Sequence, residues 1–199
     1  MARMSASERR AALARAALTV VDRDGVHAAT TRAIVAEAQM PLGSFHYAVP
    51  SRDELLRDVV ELVVAGEGDA ARAGLLAEPA DPADVIRRTL TAYLDHVRAD
   101  PGREQAMFEL TQYALRSPDL ADLPAEQYTR YHGLAAEVLA DAEAHLGIRW
   151  SVPVDELARL VVTLTDGITL AWLADRDDAA AMRTIDLATR ALAPFAASA

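Results

Sequence analysis

The sequence predicts an all-α protein of about nine helices, a three-helix N-terminal head carried on a helical body. Three observations support this. Alanine, leucine, glutamate and arginine, all strong helix formers, dominate the 199 residues. No stretch alternates β-branched and polar residues between turn dipeptides, as strands would. Glycine and proline breaks recur at intervals that leave helix-length segments between them.

The elements follow in order. Ser5 or Ser7 can cap a first helix running to Asp24, where Gly25 stops it. Ala12, Leu13, Ala16, Ala17 and Val20 recur in it at helical spacing. Thr30 or Thr31 caps a short second helix, Arg32–Ala38, and Pro41 opens a third over about Leu42–Ala48. Ser51 followed by Glu54 is a capping box leading a long fourth helix to about Ala77. Further helices are expected from Pro82 to Ala99, Arg103 to Arg116, Ala125 to Leu146 (ended by Gly147), Asp155 to Ala174 and Asp178 to Ala196.

Composition removes several classes. With 52% hydrophobic and 25% charged residues the chain is globular rather than disordered. Absence of cysteine excludes disulfides, thiolate metal sites and cysteine nucleophiles. No apolar run approaches the ~20 residues of a spanning helix, and Met1–Leu18 mixes Arg3, Glu8, Arg9, Arg10 and Arg15 with alanine, unlike a signal peptide. A cytoplasmic protein without a membrane partner is therefore expected. Net charge is −10, but residues 1–57 carry 8 Arg against 6 acidic residues, so the acidity belongs to the body. A slightly basic head fits contact with a polyanion through the head alone.

The segment Thr30–Leu56 reads as a helix-turn-helix, whose second helix fits a DNA major groove. Ile34, Val35, Ala38, Met40, Phe45 and Val49 supply its apolar side. Leu42, Gly43, Ser44, His46 and Tyr47 are left outward, a small, hydroxyl-bearing and aromatic face.

At these residues the chain resembles the tetracycline-repressor (TetR) family of bacterial regulators. The match rests on a capping Thr31, Ile34–Ala38, Gly43-Ser44-Phe45-His46-Tyr47 and Pro50-Ser51-Arg52-Asp53-Glu54-Leu55-Leu56, with Gly25 between the first helices. The resemblance implies that Leu42, Gly43 and Ser44 face base edges, and that Thr31, Arg32, His46, Tyr47 and Arg52 hold phosphates. Arg3 is implied on an N-terminal arm. Gln39 stands where the family commonly has a turn glycine, Leu42 replaces a frequent lysine, His46 a frequent tyrosine and Val49 a frequent phenylalanine.

The resemblance further implies a DNA-binding domain over residues 1–51 and an effector-binding and dimerisation domain over 52–199. It implies a repressor that binds a pseudo-palindromic operator as a homodimer through its last two helices. A small-molecule effector would release it, with the helix from Arg52 as lever. Leu157, Leu160, Val161, Leu164, Ile168, Ala171 and Trp172, with Met182, Ile185, Leu187, Ala188, Ala191 and Leu192, exceed the apolar content one face needs.

Small-molecule pockets are apolar with a few placed polar groups. Tyr93, Phe108, Gln112, Tyr113, Tyr128, His132, Asp166 and Trp172 are the candidates to line one, with core packing as the alternative role of each aromatic. Asp166 interrupts an apolar helix, so it needs a partner, either a ligand or an arginine across a dimer. No His-Glu-x-x-His, paired Glu-x-x-His or phosphate loop occurs, so neither metal, cofactor nor enzymatic activity is implied. The competing function is a DNA-binding dimer with no effector, its body serving only in dimerisation or protein docking.

Overall fold

The computed structural model describes residues 4–75 and 81–198. Arg3 and the turn at 78–80 lie outside the described residues. Nine α-helices are present among those described: α1 (Ala6–Asp24), α2 (Thr31–Glu37), α3 (Leu42–Ala48), α4 (Arg52–Leu75), α5 (Pro82–Ala99), α6 (Pro101–Ala114), α7 (Leu123–Leu146), α8 (Val154–Asp175) and α9 (Asp178–Leu192). Three single 3₁₀ turns fall at Val26–Ala28, Pro118–Leu120 and Ala193–Phe195. The all-α expectation holds.

Local chemistry sets the boundaries. Ser5 caps α1 in a full capping box: its hydroxyl accepts from the Glu8 N–H, and Glu8 accepts from the Ser5 N–H at 2.7 Å. The Ser5 N–H, together with the Ser5 hydroxyl, holds the Glu8 carboxyl below its ordinary range. Gly25 ends the helix with φ +84° and ψ 163°, a conformation reserved for glycine. The cap of α2 is Thr30, whose side chain accepts from the Ala33 N–H at 3.2 Å. Thr31, expected as the cap in the resemblance, is the first helical residue instead. Ser51 accepts from the Glu54 N–H at 3.1 Å, one half of the expected box.

Several boundaries differ from the sequence reading by one or two residues, among them the start of α7 at Leu123 and the end of α6 at Ala114, and two differences are informative. Helix α6 starts at Pro101, two residues early, because proline suits the first turn. Helix α9 stops at Leu192, not Ala196. The following residues form a strand, β2 (Ala196–Ser198), antiparallel to β1 (Ile148–Trp150), with Arg149 opposite Ala197. Three-residue strands leave no periodicity to read.

The chain forms two compact units. The first comprises residues 4–63 and 102–127. In it α1 packs on α2 and α3, burying Leu13, Ala17, Val20, Ile34, Val35, Phe45, Val49, Leu55 and Leu56. Phe45 is only 1% exposed, a burial that contributes roughly 1.5–3 kcal/mol. The second comprises residues 64–75, 81–101 and 128–198. Its core gathers Leu90, Leu94 and Val97 of α5, Leu139 of α7, Leu157, Ile168 and Trp172 of α8, and Ile185, Ala188 and Leu192 of α9.

Candidate nucleic-acid interface and effector site

The head presents α3 outward as its sequence dictates. Phe45 and Val49 point into the core, each 1% exposed, while Leu42 is 44% and Tyr47 69% exposed. Gly43 and His46 are exposed, and Ser44, Thr31 and Ala38 half-exposed. Arg32 is exposed and makes no ion pair among the described residues. Gln39 turns the chain from α2 with φ +53°, the left-handed conformation the missing glycine would adopt freely.

Gly43 is the informative residue of this face. A β-carbon built on it meets nothing within 4 Å, and its φ is not positive. Glycine inside a helix costs roughly 0.5–1 kcal/mol relative to alanine. Neither packing nor backbone geometry within the chain requires it.

Arg52 does not match the phosphate role expected of it. Its Nε donates to the Ala29 carbonyl at 2.7 Å and its Nη2 to the Val26 carbonyl at 2.6 Å. Its Nη1 donates to the Tyr113 hydroxyl at 3.4 Å, and the guanidinium sits 5.5 Å from that ring's centre. Arg52 thus staples the turn after α1 to the start of α4. Arg10 fixes the same pair of helices by bonding both oxygens of Asp58, at 2.6 and 2.7 Å, which raises its pKa.

The proposed pocket residues separate into three groups. Phe108, Gln112 and Tyr113 lie on α6 in the first unit, where Tyr113 stands edge-on to His27 at 4.9 Å. Trp172 is 7% exposed in the core of the second unit. Its indole N–H donates to Asp178 at 2.8 Å, and Arg176 covers the ring, so internal contacts occupy it.

The remaining candidates come together in the second unit. The Tyr128 hydroxyl donates to Asp166 Oδ2 at 2.7 Å, and the Tyr128 ring lies 6.0 Å from His132. One turn beyond Asp166, Thr169 shares a 2.9 Å hydrogen bond with the Tyr93 hydroxyl. Burial pushes the Asp166 carboxyl above its ordinary pKa, against the opposing pull of Tyr128 and His132. Burial and the Asp166 bond push the Tyr128 phenol up to about 12. Burial and nearby Arg159 lower His132. Asp166 makes no ion pair among the described residues.

Two neighbours stand outside the candidate set, Tyr131 as one more helical aromatic of the body and Glu67 as a residue the sequence does not single out. Tyr131 packs edge-on to Tyr128 at 5.9 Å, and its hydroxyl points to Glu67 Oε1 at 3.5 Å. Glu67 is 7% exposed. Glu67 follows the apolar run Leu62–Ala65 of α4 and stands between two glycines, and that placement is the available signal.

The outer face of α8 is unusually apolar. Its best 18-residue window has a mean hydropathy of 1.4, yet only 33% of it is buried; by length and composition it could cross a membrane. Leu157, Ile168 and Trp172 belong to the unit's own core rather than to a spare face. Leu160, Thr163, Gly167, Leu170, Ala171 and Ala174 are its exposed uncharged positions, with the charged Asp155, Glu156, Arg159 and Asp175 also exposed, and a β-carbon on Gly167 meets nothing within 4 Å. On α9, Ile185, Ala188 and Leu192 are buried, while Leu187 is 60% exposed and Ala191 exposed.

Residues 82–197 match the profile of the C-terminal domain of BetI-type transcriptional repressors. The chain belongs to the TetR family of DNA-binding transcriptional regulators. Among its relatives is the nicotine-responsive transcriptional repressor HdnoR of Paenarthrobacter nicotinovorans, 28% identical over 177 residues, spanning 88% of this chain and 89% of that one. The multidrug binding protein EbrR, crystallised with imidazole, is 27% identical with a TM-score of 0.68, covering 93% of this chain and 90% of that chain. A transcriptional regulator of Rhodococcus sp. Rha1 shares the fold at 19% identity and a TM-score of 0.69, covering 94% and 97%.

Proposed function

We propose that the protein is a repressor that binds a pseudo-palindromic operator as a homodimer and is released by a small organic base. Residues 1–51 read the DNA and residues 52–199 bind the effector and dimerise. The exposed Gly43 on α3 carries the first part. A helical glycine with open space above it serves an approach from outside, and Leu42, Ser44, His46 and Tyr47 surround it with groups suited to bases and phosphates.

The dimer follows from α8 and α9. Leu160, Gly167, Leu170 and Ala171 fall at helical spacing on one face, and Gly167 allows a second helix to come close. Two heads on a two-fold axis read half-sites about 34 Å, or a multiple, apart.

For the effector, Asp166 is a half-buried carboxylate whose hydrogen-bond donor is the neutral Tyr128, with a second aromatic ring beside it. Such a site favours a protonated nitrogen base, through charge and through the ring faces. The nicotine response of HdnoR and the imidazole bound to EbrR support that class. Binding shifts the population toward a state whose heads no longer fit one duplex, a coupling of about 1–3 kcal/mol.

Selection of bound sequences from random duplex DNA tests the reading. An enriched pseudo-palindrome whose affinity falls steeply with salt supports it, and titration with organic bases then releases the complex. A folded dimer that enriches no sequence sinks it.

A further inference from the structure

Three arginines of the head are engaged from within: Arg10 by Asp58, Arg23 by Asp24 and Glu37, Arg52 by two carbonyls. Arg9 is among the others, with Arg15 and Arg32. It has no carboxylate within ion-pair distance among the described residues, and its Nη2 donates only to the Met4 carbonyl at 3.3 Å. Its guanidinium carbon lies 5.4 Å from the centre of the Tyr47 ring, on the exposed face of α3. Arg9 and Tyr47, with Met4, Ser5 and Ala6, line an open crevice of about 270 Å³. Glu8, the nearest acid in sequence, has its carboxylate bonded to the Ser5 N–H.

We propose that Arg9 and Tyr47 form a clamp for one backbone phosphate of the bound DNA, which makes the first turn of α1 part of the nucleic-acid interface. The clamp rests on the reading of α3 as the DNA-facing helix. A guanidinium presents a planar fork of donors that matches phosphate oxygens, and the Tyr47 hydroxyl adds a further donor. Stacking on the ring holds the long arginine side chain before DNA arrives, so less side-chain freedom is lost on binding. Neither group reads a base, so the clamp strengthens operator and random duplex alike.

The test measures binding of the full chain to operator and to random duplex across a salt series. Arg9→Ala is expected to weaken both by the same factor. It should also flatten the slope of log affinity against log salt by about 0.9 per head, roughly 1.8 for a two-headed complex. Arg9→Lys should restore the slope without the full affinity, because an ammonium cannot fork. Tyr47→Phe should keep the slope and lose affinity. Arg9→Gln, which keeps a polar stem against the ring, replaces Arg9→Ala if that variant melts early. An unchanged slope overturns the clamp, as does a loss confined to the operator. If the unaltered protein binds no duplex, the underlying reading of α3 falls instead.

Discussion

The Glu109 carboxylate accepts the backbone N–H of Val26 at 2.8 Å, and the same oxygen lies 3.0 Å from where a β-carbon on Gly25 would stand. One side chain of α6 therefore satisfies the turn that follows α1 and also fills the space the glycine leaves. Val26 is 1% exposed, so its N–H has no access to water as a substitute. Glu109→Ala is expected to cost about 1–3 kcal/mol in urea unfolding by orphaning that donor. Glu109→Gln keeps an acceptor oxygen and should recover most of the loss. Equal destabilisation by both would show that the charge, not the hydrogen bond, matters.

Gly43→Ala should move stability and DNA affinity in opposite directions. The β-carbon enters open space, so the helix gains roughly 0.5–1 kcal/mol. The same methyl obstructs the groove, and operator affinity should fall by about tenfold or more. Thermal melts beside operator titrations check both halves. Unchanged affinity would remove Gly43 from the interface.

Asp166→Asn should stabilise the ligand-free protein at neutral pH. Burial raises the Asp166 pKa in the folded state, so between its unfolded and folded values the native form binds more protons than the unfolded one. Stability attributable to this group is greatest below the unfolded pKa and declines as pH rises through the folded pKa. The asparagine variant lacks that decline, and the difference between the two unfolding curves should grow with pH across the carboxylate range and then level off. Its affinity for an organic base should fall at the same time. Parallel pH dependence in both proteins would show that Asp166 is not strained by its burial.

Leu170→Arg and Leu187→Arg should each give a folded monomer in sedimentation experiments. The side chains are 55% and 60% exposed, so neither change disturbs the core of the unit. A charge buried against a second copy costs several kcal/mol. Operator binding should weaken with the dimer, while binding to an isolated half-site persists. Dimers that survive both substitutions would move the interface elsewhere.

The head was legible because its signals are local. Caps, breakers and the inward pair Phe45 and Val49 mark one long helix, two short ones and the outward face of α3. Contacts between distant residues were not legible. Arg52 was assigned to DNA and Tyr113 to the effector, yet they are 61 positions apart and touch each other. Spacing along a helix says which side a residue faces but not what meets it there. The pocket candidates fared likewise. The Tyr128–Asp166 bond joins two helices whose apolar patterns are indistinguishable from ordinary core, and only the misplaced charge of Asp166 marked the place. The strands at Ile148 and Ala196 are too short for any pattern to announce them.

The double tie of α4 to the head, through Arg10 to Asp58 and through Arg52 to the carbonyls of Val26 and Ala29, bears on which genes such a protein could come to control. Inserting one base pair between half-sites moves them about 3.4 Å apart and turns them by roughly 35°. Such a displacement cannot be absorbed inside the head, because these two ties make α1, the turn after it and the start of α4 one piece. On the proposed two-headed reading, new targets then come more readily from base changes within half-sites than from a rearrangement of the head.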